Sequence, residues 1–154
     1  MKLGEKFPPE DRLAFVRQSL VPGSILYLSC SFTTPPKEKF VVLVSLDPEP
    51  VVFMINSEIS RWLQDRPALR DCQVTIHQQD HLFLSYDSYI DCTQAVRKFT
   101  AQDLERQLVQ DLGKIKGKIT LHEREAVLYS VQNCRTLESK LKSFIIAALK
   151  TDPV

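Results

Sequence analysis

The chain has 154 residues, 44% of them hydrophobic and 25% charged, with a formal net charge of +1. That length is enough for one domain with its own core. Nothing in this balanced charge argues for a polyanion partner, so any nucleic-acid footprint has to be a local patch.

The opening stretch MKLGEKFPPEDR has no apolar h-region, so no secretory signal is expected. No apolar run approaches the ~20 residues of a membrane span, and a soluble, cytoplasmic protein is expected. Cys30, Cys72, Cys92 and Cys134 are scattered, with no CxxC and no Cys/His cluster. They read as free thiols in a reducing compartment rather than as a zinc site or a disulfide framework.

Pro8-Pro9 precede EDRLAFVRQSL, where Glu10 and Asp11 suit a helix start and Leu13, Val16 and Leu20 share a face. This short amphipathic helix ends at VPGS, 21–24. SILYLSCSF, 24–32, sets Ile25 and Tyr27 against Leu26, Leu28 and Cys30, the pattern of a strand buried on both faces. FVVLVSL and VVFMINS are β-branched runs joined by DPEP, a hairpin-type connection. A short helical turn is expected around Ile59, Trp62 and Leu63, with Trp62 in the core. QVTIHQQ, 73–79, alternates like a strand, and the later half of 81–99 reads as one strand running into another. Thr100 and Asp103 form a capping-box signature ahead of Leu104, Leu108 and Leu112. Gly113 and Gly117 break that helix, and a long helical region follows to residue 150.

Strands are seldom separated by full helices here. The order favours a mainly β fold, a small antiparallel barrel or curled sheet with a short N-terminal helix and a C-terminal helical region, over a βαβ sheet. One domain over 1–154 is expected, with a barrel core over about 20–100 and helices over about 100–150.

Polar residues gather at the ends of the apolar runs. Glu58 and Asp87 are carboxylates there, and Lys37, Lys39, Arg61 and Arg97 are cations able to border the same face. A base beside a fixed positive charge is what cleavage of a phosphodiester by a neighbouring hydroxyl needs. Each residue also has a plainer reading. Asn56-Ser57 and Asp87-Ser88 are turn formers, Glu58 suits a helix start, and lysines in a loop are commonly solvated. His81 stands just before Leu82-Phe83 and carries no weight alone. GxGxxG, GxxxxGK, HExxH and GxSxG are all missing, and with four glycines in the chain a glycine-cradled nucleotide is not expected.

The series of segments resembles the MazF/PemK toxins and the related CcdB proteins, which are small SH3-like barrels. VPGSILYLSC looks like their opening strand, and KEKFVVLVS like the next, with Lys39-Phe40 at the family's Arg-Pro. VVFMINSE resembles the strand that ends in their Thr/Ser pair, here Asn56-Ser57. LSYDSYIDCTQAVRKF looks like their late strand pair, with Gln94 and Arg97 near the family's QxR, and LVQDLGKIKG like the closing turn. The match runs in order over roughly residues 20–135.

The resemblance implies metal-independent cleavage of single-stranded RNA, no cofactor, a homodimer, and neutralisation by an antitoxin-like protein. On that reading Lys39, Ser57, Glu58 and Asp87 are the catalytic candidates. Lys37, Asn56, Arg61, Ser88 and Arg97 are the RNA- or ligand-binding ones, and Glu58 is the general base. Two other readings stay open: an inactive barrel serving as a protein-interaction module, and a structural subunit.

Overall fold

The computed structural model describes residues 8–151. Most of the stretch read for a signal lies outside the described residues. The centre of the fold is an antiparallel sheet of six strands, β1 (Ser24–Cys30), β2 (Lys37–Ser45), β3 (Val51–Asn56), β4 (Gln73–Ile76), β5 (Ser88–Asp91) and β6 (Ile115–Lys118). They lie in the order β4-β5-β3-β2-β1-β6, and the sheet curls into a half-barrel with β4 and β6 as its edges.

The apolar runs decide what surrounds this sheet. In β2, Val42 and Val44 point to one face and Val41 and Leu43 to the other, and all four are buried. β3 repeats this, with Phe53 and Ile55 on the first face and Val52 on the second. Strands apolar on both sides need a cover on both sides.

Helices α1 (Pro9–Ser19) and α4 (Ala101–Gln110) supply one cover, through Val16, Leu104 and Leu108. The Arg12 guanidinium donates to the Val109 carbonyl and ties the pair together. Helices α5 (Leu121–Asn133) and α6 (Ser139–Lys150) supply the other, through Val127, Val131, Ile145 and Leu149. Two one-turn helices, α2 (Arg61–Gln64) and α3 (Pro67–Arg70), link β3 to β4. No helix among the described residues is long and apolar enough to cross a membrane.

Helices take 42% of the described residues and strands 24%. The fold is therefore mixed α and β rather than mainly β. The cause is the double-faced burial of β1–β3, because a closed barrel would hide only one face of each strand.

The capping box at Thr100 is present, with Asp103 N–H donating to Thr100 Oγ1 at 3.1 Å and the Thr100 N–H to the Asp103 carboxylate at 3.3 Å. Two expectations change. The segment 81–99 holds one short strand, β5, and a single bridge between Val96 and Val52 in place of a second strand. The break at Gly113–Gly117 contains β6, inside the region expected to be helical; it pairs with β1 across a bulge, and Gly117 there has φ +129°. That conformation suits glycine and no bulky residue.

Candidate functional site

Lys39 is the third residue of β2, and Asn56 ends β3. With Val41 opposite Met54 in the ladder, two further residues bring Lys39 opposite Asn56. The Lys39 ammonium donates to Asn56 Oδ1 at 2.8 Å. Just beyond, the chain leaves the sheet through Ser57 and Glu58, both exposed. Ser60 then caps α2, its hydroxyl accepting from the Leu63 N–H at 3.3 Å. Glu58 is therefore not the helix cap.

Lys39, Asn56, Ser57 and Glu58 line one cavity of about 450 Å³, together with Trp62, Asp91, Thr93 and Gln94. A smaller recess of about 220 Å³ lies on the other side of Lys39 and Ser57 and includes Tyr27, Tyr86 and Ser88. A groove of about 630 Å³ continues past Trp62, Thr93 and Gln94 toward Phe32, Arg97, Lys98 and Leu141. Partial burial pushes the Lys39 ammonium below the ordinary lysine range, and the charge of Lys37 pushes it further the same way. The Cys30 thiol is raised by burial, against an opposing pull from Lys39.

No protein-family model matches the chain, and no curated protein is significantly similar to it.

The remaining expected residues divide. Ser88 is buried at the recess, its hydroxyl donating to the Tyr86 carbonyl at 3.2 Å. Arg97 lines the outer groove, and its guanidinium Nε donates to Glu49 Oε1 at 2.6 Å. A cation paired in this way has less charge to offer a phosphate. Lys37 is exposed at the start of β2, opposite Cys30, and acts on the site through its charge on Lys39. Arg61 is exposed on α2 and lines none of these three spaces.

Asp87 lines none of them either. Its carboxylate accepts from the Gln78 N–H at 2.9 Å and faces His77 Nδ1 at 3.4 Å. The Gln78 hydrogen bond, with a second from His77, holds it below the usual carboxylate range. It orders the link between β4 and β5 and is not gathered with Glu58.

Three features go beyond or against the sequence reading. Asp91 is buried at the end of β5 and lines the cavity. Its Oδ1 accepts from the Thr93 N–H at 2.9 Å, the Thr93 hydroxyl at 2.5 Å and Gln73 Nε2 at 2.7 Å. The Asp-Cys-Thr spacing is the signal, since a side-chain acceptor two residues ahead of an N–H is an Asx-type turn.

The second is Trp62, expected in the core but 55% exposed. Leu63 takes the buried position of α2, and the four-residue helix has room for one inward side chain.

The third is the pair of His81 and Glu123. Both are buried, with His81 Nε2 at 2.8 and 3.1 Å from the Glu123 carboxylate oxygens. Glu123 also closes the capping box of α5, accepting from the Thr120 N–H at 2.8 Å. Only the sheet and α5 together bring residues so distant in sequence into contact.

Proposed function

We propose that this protein is an endoribonuclease-type half-barrel, a divergent relative of the SH3-like MazF/PemK toxins, acting on single-stranded RNA at the β2–β3 rim. The observation that carries the reading is the meeting of Lys39 and Asn56, 2.8 Å apart, at one cavity with Ser57 and Glu58. These are the positions at which the resemblance matches the family's Arg and its Thr/Ser pair.

The chemistry follows from the groups present. Glu58 removes the proton of a ribose 2′-hydroxyl. The 2′ oxygen attacks the adjacent phosphorus, the bond from phosphorus to the 5′ oxygen breaks, and that oxygen takes a proton from water. The products are a 2′,3′-cyclic phosphate and a 5′-hydroxyl. Lys39 faces the charge that builds on the phosphoryl oxygens, and its partly desolvated site strengthens that interaction. Asn56 holds the ammonium in place, and the Ser57 hydroxyl is available to orient the phosphate. An intramolecular 2′-hydroxyl nucleophile needs no metal to generate it. The reading carries a cytoplasmic homodimer and an antitoxin-like protein as partners.

The test is incubation of purified protein with mixed-sequence single-stranded RNA in excess EDTA, beside Glu58→Gln and Lys39→Ala. Cyclic-phosphate ends from the natural protein, lost in both variants, support the reading. RNA left intact by the natural protein sinks it.

A second reading has its own observation. The outer groove is walled by Phe32, Leu69, Leu137 and Leu141 and is large enough for apolar side chains of another protein. An inactive interaction module would bind a partner there and leave RNA intact.

A further inference from the structure

Resting on the ribonuclease reading, we propose that Trp62 is a stacking platform for the base of a nucleotide flanking the phosphate held at Lys39. Trp62 is the chain's single tryptophan. It borders both the rim cavity and the outer groove, so a strand leaving Lys39 toward the groove passes over it.

The ring is exposed, yet its orientation is set. The Arg66 guanidinium lies over it at 4.1 Å from the centroid. Arg66 also donates through Nη1 to the Trp62 carbonyl at 2.7 Å. A guanidinium stacked on an indole and anchored to the same residue's backbone holds the ring without burying it. Ser60 and Leu63 fix the helix turn beneath.

An exposed tryptophan is a surplus of apolar surface that water covers poorly. A flat ligand recovers that surface at low entropic cost, because the ring is already held. A nucleobase is such a ligand, and stacking on aromatics is how single strands are commonly bound without sequence preference. The surroundings suit the rest of a nucleotide. Gln94 is exposed and lines both spaces, offering an amide donor and acceptor to a base edge. Lys98 lines the groove beyond and makes no ion pair among the described residues, which places a cation for the next phosphate. Three carboxylates also line these spaces: Glu58, the proposed base; Asp91, whose Oδ1 is turned to Thr93 and Gln73; and Glu138 in the outer groove.

The single tryptophan gives a direct reading. A 2′-O-methyl oligoribonucleotide of mixed sequence lacks the attacking hydroxyl and reports binding without cleavage. Titrated into the full protein, it should quench the tryptophan emission saturably. In fluorescence anisotropy with a labelled oligonucleotide, Trp62→Ala should bind about tenfold more weakly, with Trp62→Phe between the two. Circular dichroism confirms that both variants are folded.

Binding by anisotropy with unchanged emission and equal affinity for Trp62→Ala overturns the platform and leaves the ribonuclease reading intact. Quenching without any cleavage of natural RNA keeps the platform and removes the enzyme. Absence of binding by both methods overturns the platform and the RNA reading together.

Discussion

Two polar clusters in this molecule use similar chemistry to opposite ends. At the β2–β3 rim, Lys39 meets Asn56 beside an open cavity, with Ser57 and Glu58 exposed next to it. At the start of α5, His81 meets Glu123 with both side chains almost sealed from solvent. Glu123 spends its carboxylate on His81 and the Thr120 N–H. The rim keeps hydrogen-bonding capacity facing solvent. A buried group whose partners are complete stabilises a fold, whereas a half-buried one with capacity in hand is available to a ligand. Polar residue type alone does not separate the two.

The largest effect is expected at Glu123. Replacing it by alanine strands His81 in the core and opens the capping box. The expected loss is about 3 kcal/mol or more in urea unfolding, with RNA cleavage per folded molecule unchanged. A loss below about 0.5 kcal/mol, well under the usual cost of stranding a buried polar group, would mean that the pair is not the anchor described.

Lys39 is expected to behave the other way. On the proposed ribonuclease reading, Lys39→Ala should lower the cleavage rate by about 10²–10³, the range for removing one group that stabilises developing charge. Its stability signature has a definite sign. Burial lowers the ammonium's affinity for protons in the folded state relative to the unfolded chain. The protonated lysine therefore costs stability at neutral pH, and the cost fades as pH rises through the folded value toward that of unfolded lysine. Lys39→Met should match or exceed the natural protein in unfolding at pH 7, by less than about 1 kcal/mol after solvent screening. The difference should close in alkaline buffer. Equal curves at every pH would show that burial at the rim is too slight to matter.

Smaller effects are expected away from the rim. Thr100→Ala removes the cap of α4 and should cost about 1 kcal/mol, read from a chevron or equilibrium melt, with no change at the rim. Asp87→Asn should leave cleavage unaltered. Asp87 is held low by Gln78, so its contribution is present above the unfolded carboxyl range and lost as pH falls through the folded value. The variant should thus be less stable than the natural protein above the unfolded carboxyl range, the two converging in stronger acid. Reduced cleavage by Asp87→Asn would return that residue to the site.

Much of this was visible in local pattern. The apolar runs within 24–30, 37–45 and 51–56 are strands, and Thr100 with Asp103 starts a helix. Lys39, Asn56, Ser57 and Glu58 stood out as polar groups at strand ends, and they share a cavity. β6 is hidden because IKGK is four residues long and carries a glycine; its pairing to β1 makes it a strand. Asp87 looked like a member of the site because a carboxylate at the end of an apolar run carries no label for which neighbour it will face. Trp62 looked like core because composition scales average over environments, and a one-turn helix can bury a single position.

Taken by itself, the sequence determined which segments are apolar on both faces, where the helices start, and which side chains have hydrogen bonds to give. Those are properties of residue type and short spacing, set by backbone geometry within a few residues. Tertiary structure decided that the sheet stays a half-barrel clad by helices on both sides. It also decided that Asp87 turns to Gln78, that His81 finds Glu123 and that Lys39 finds Asn56. Partnering of this kind depends on the distance between elements far apart in the chain. Only the packing of the whole core sets that distance.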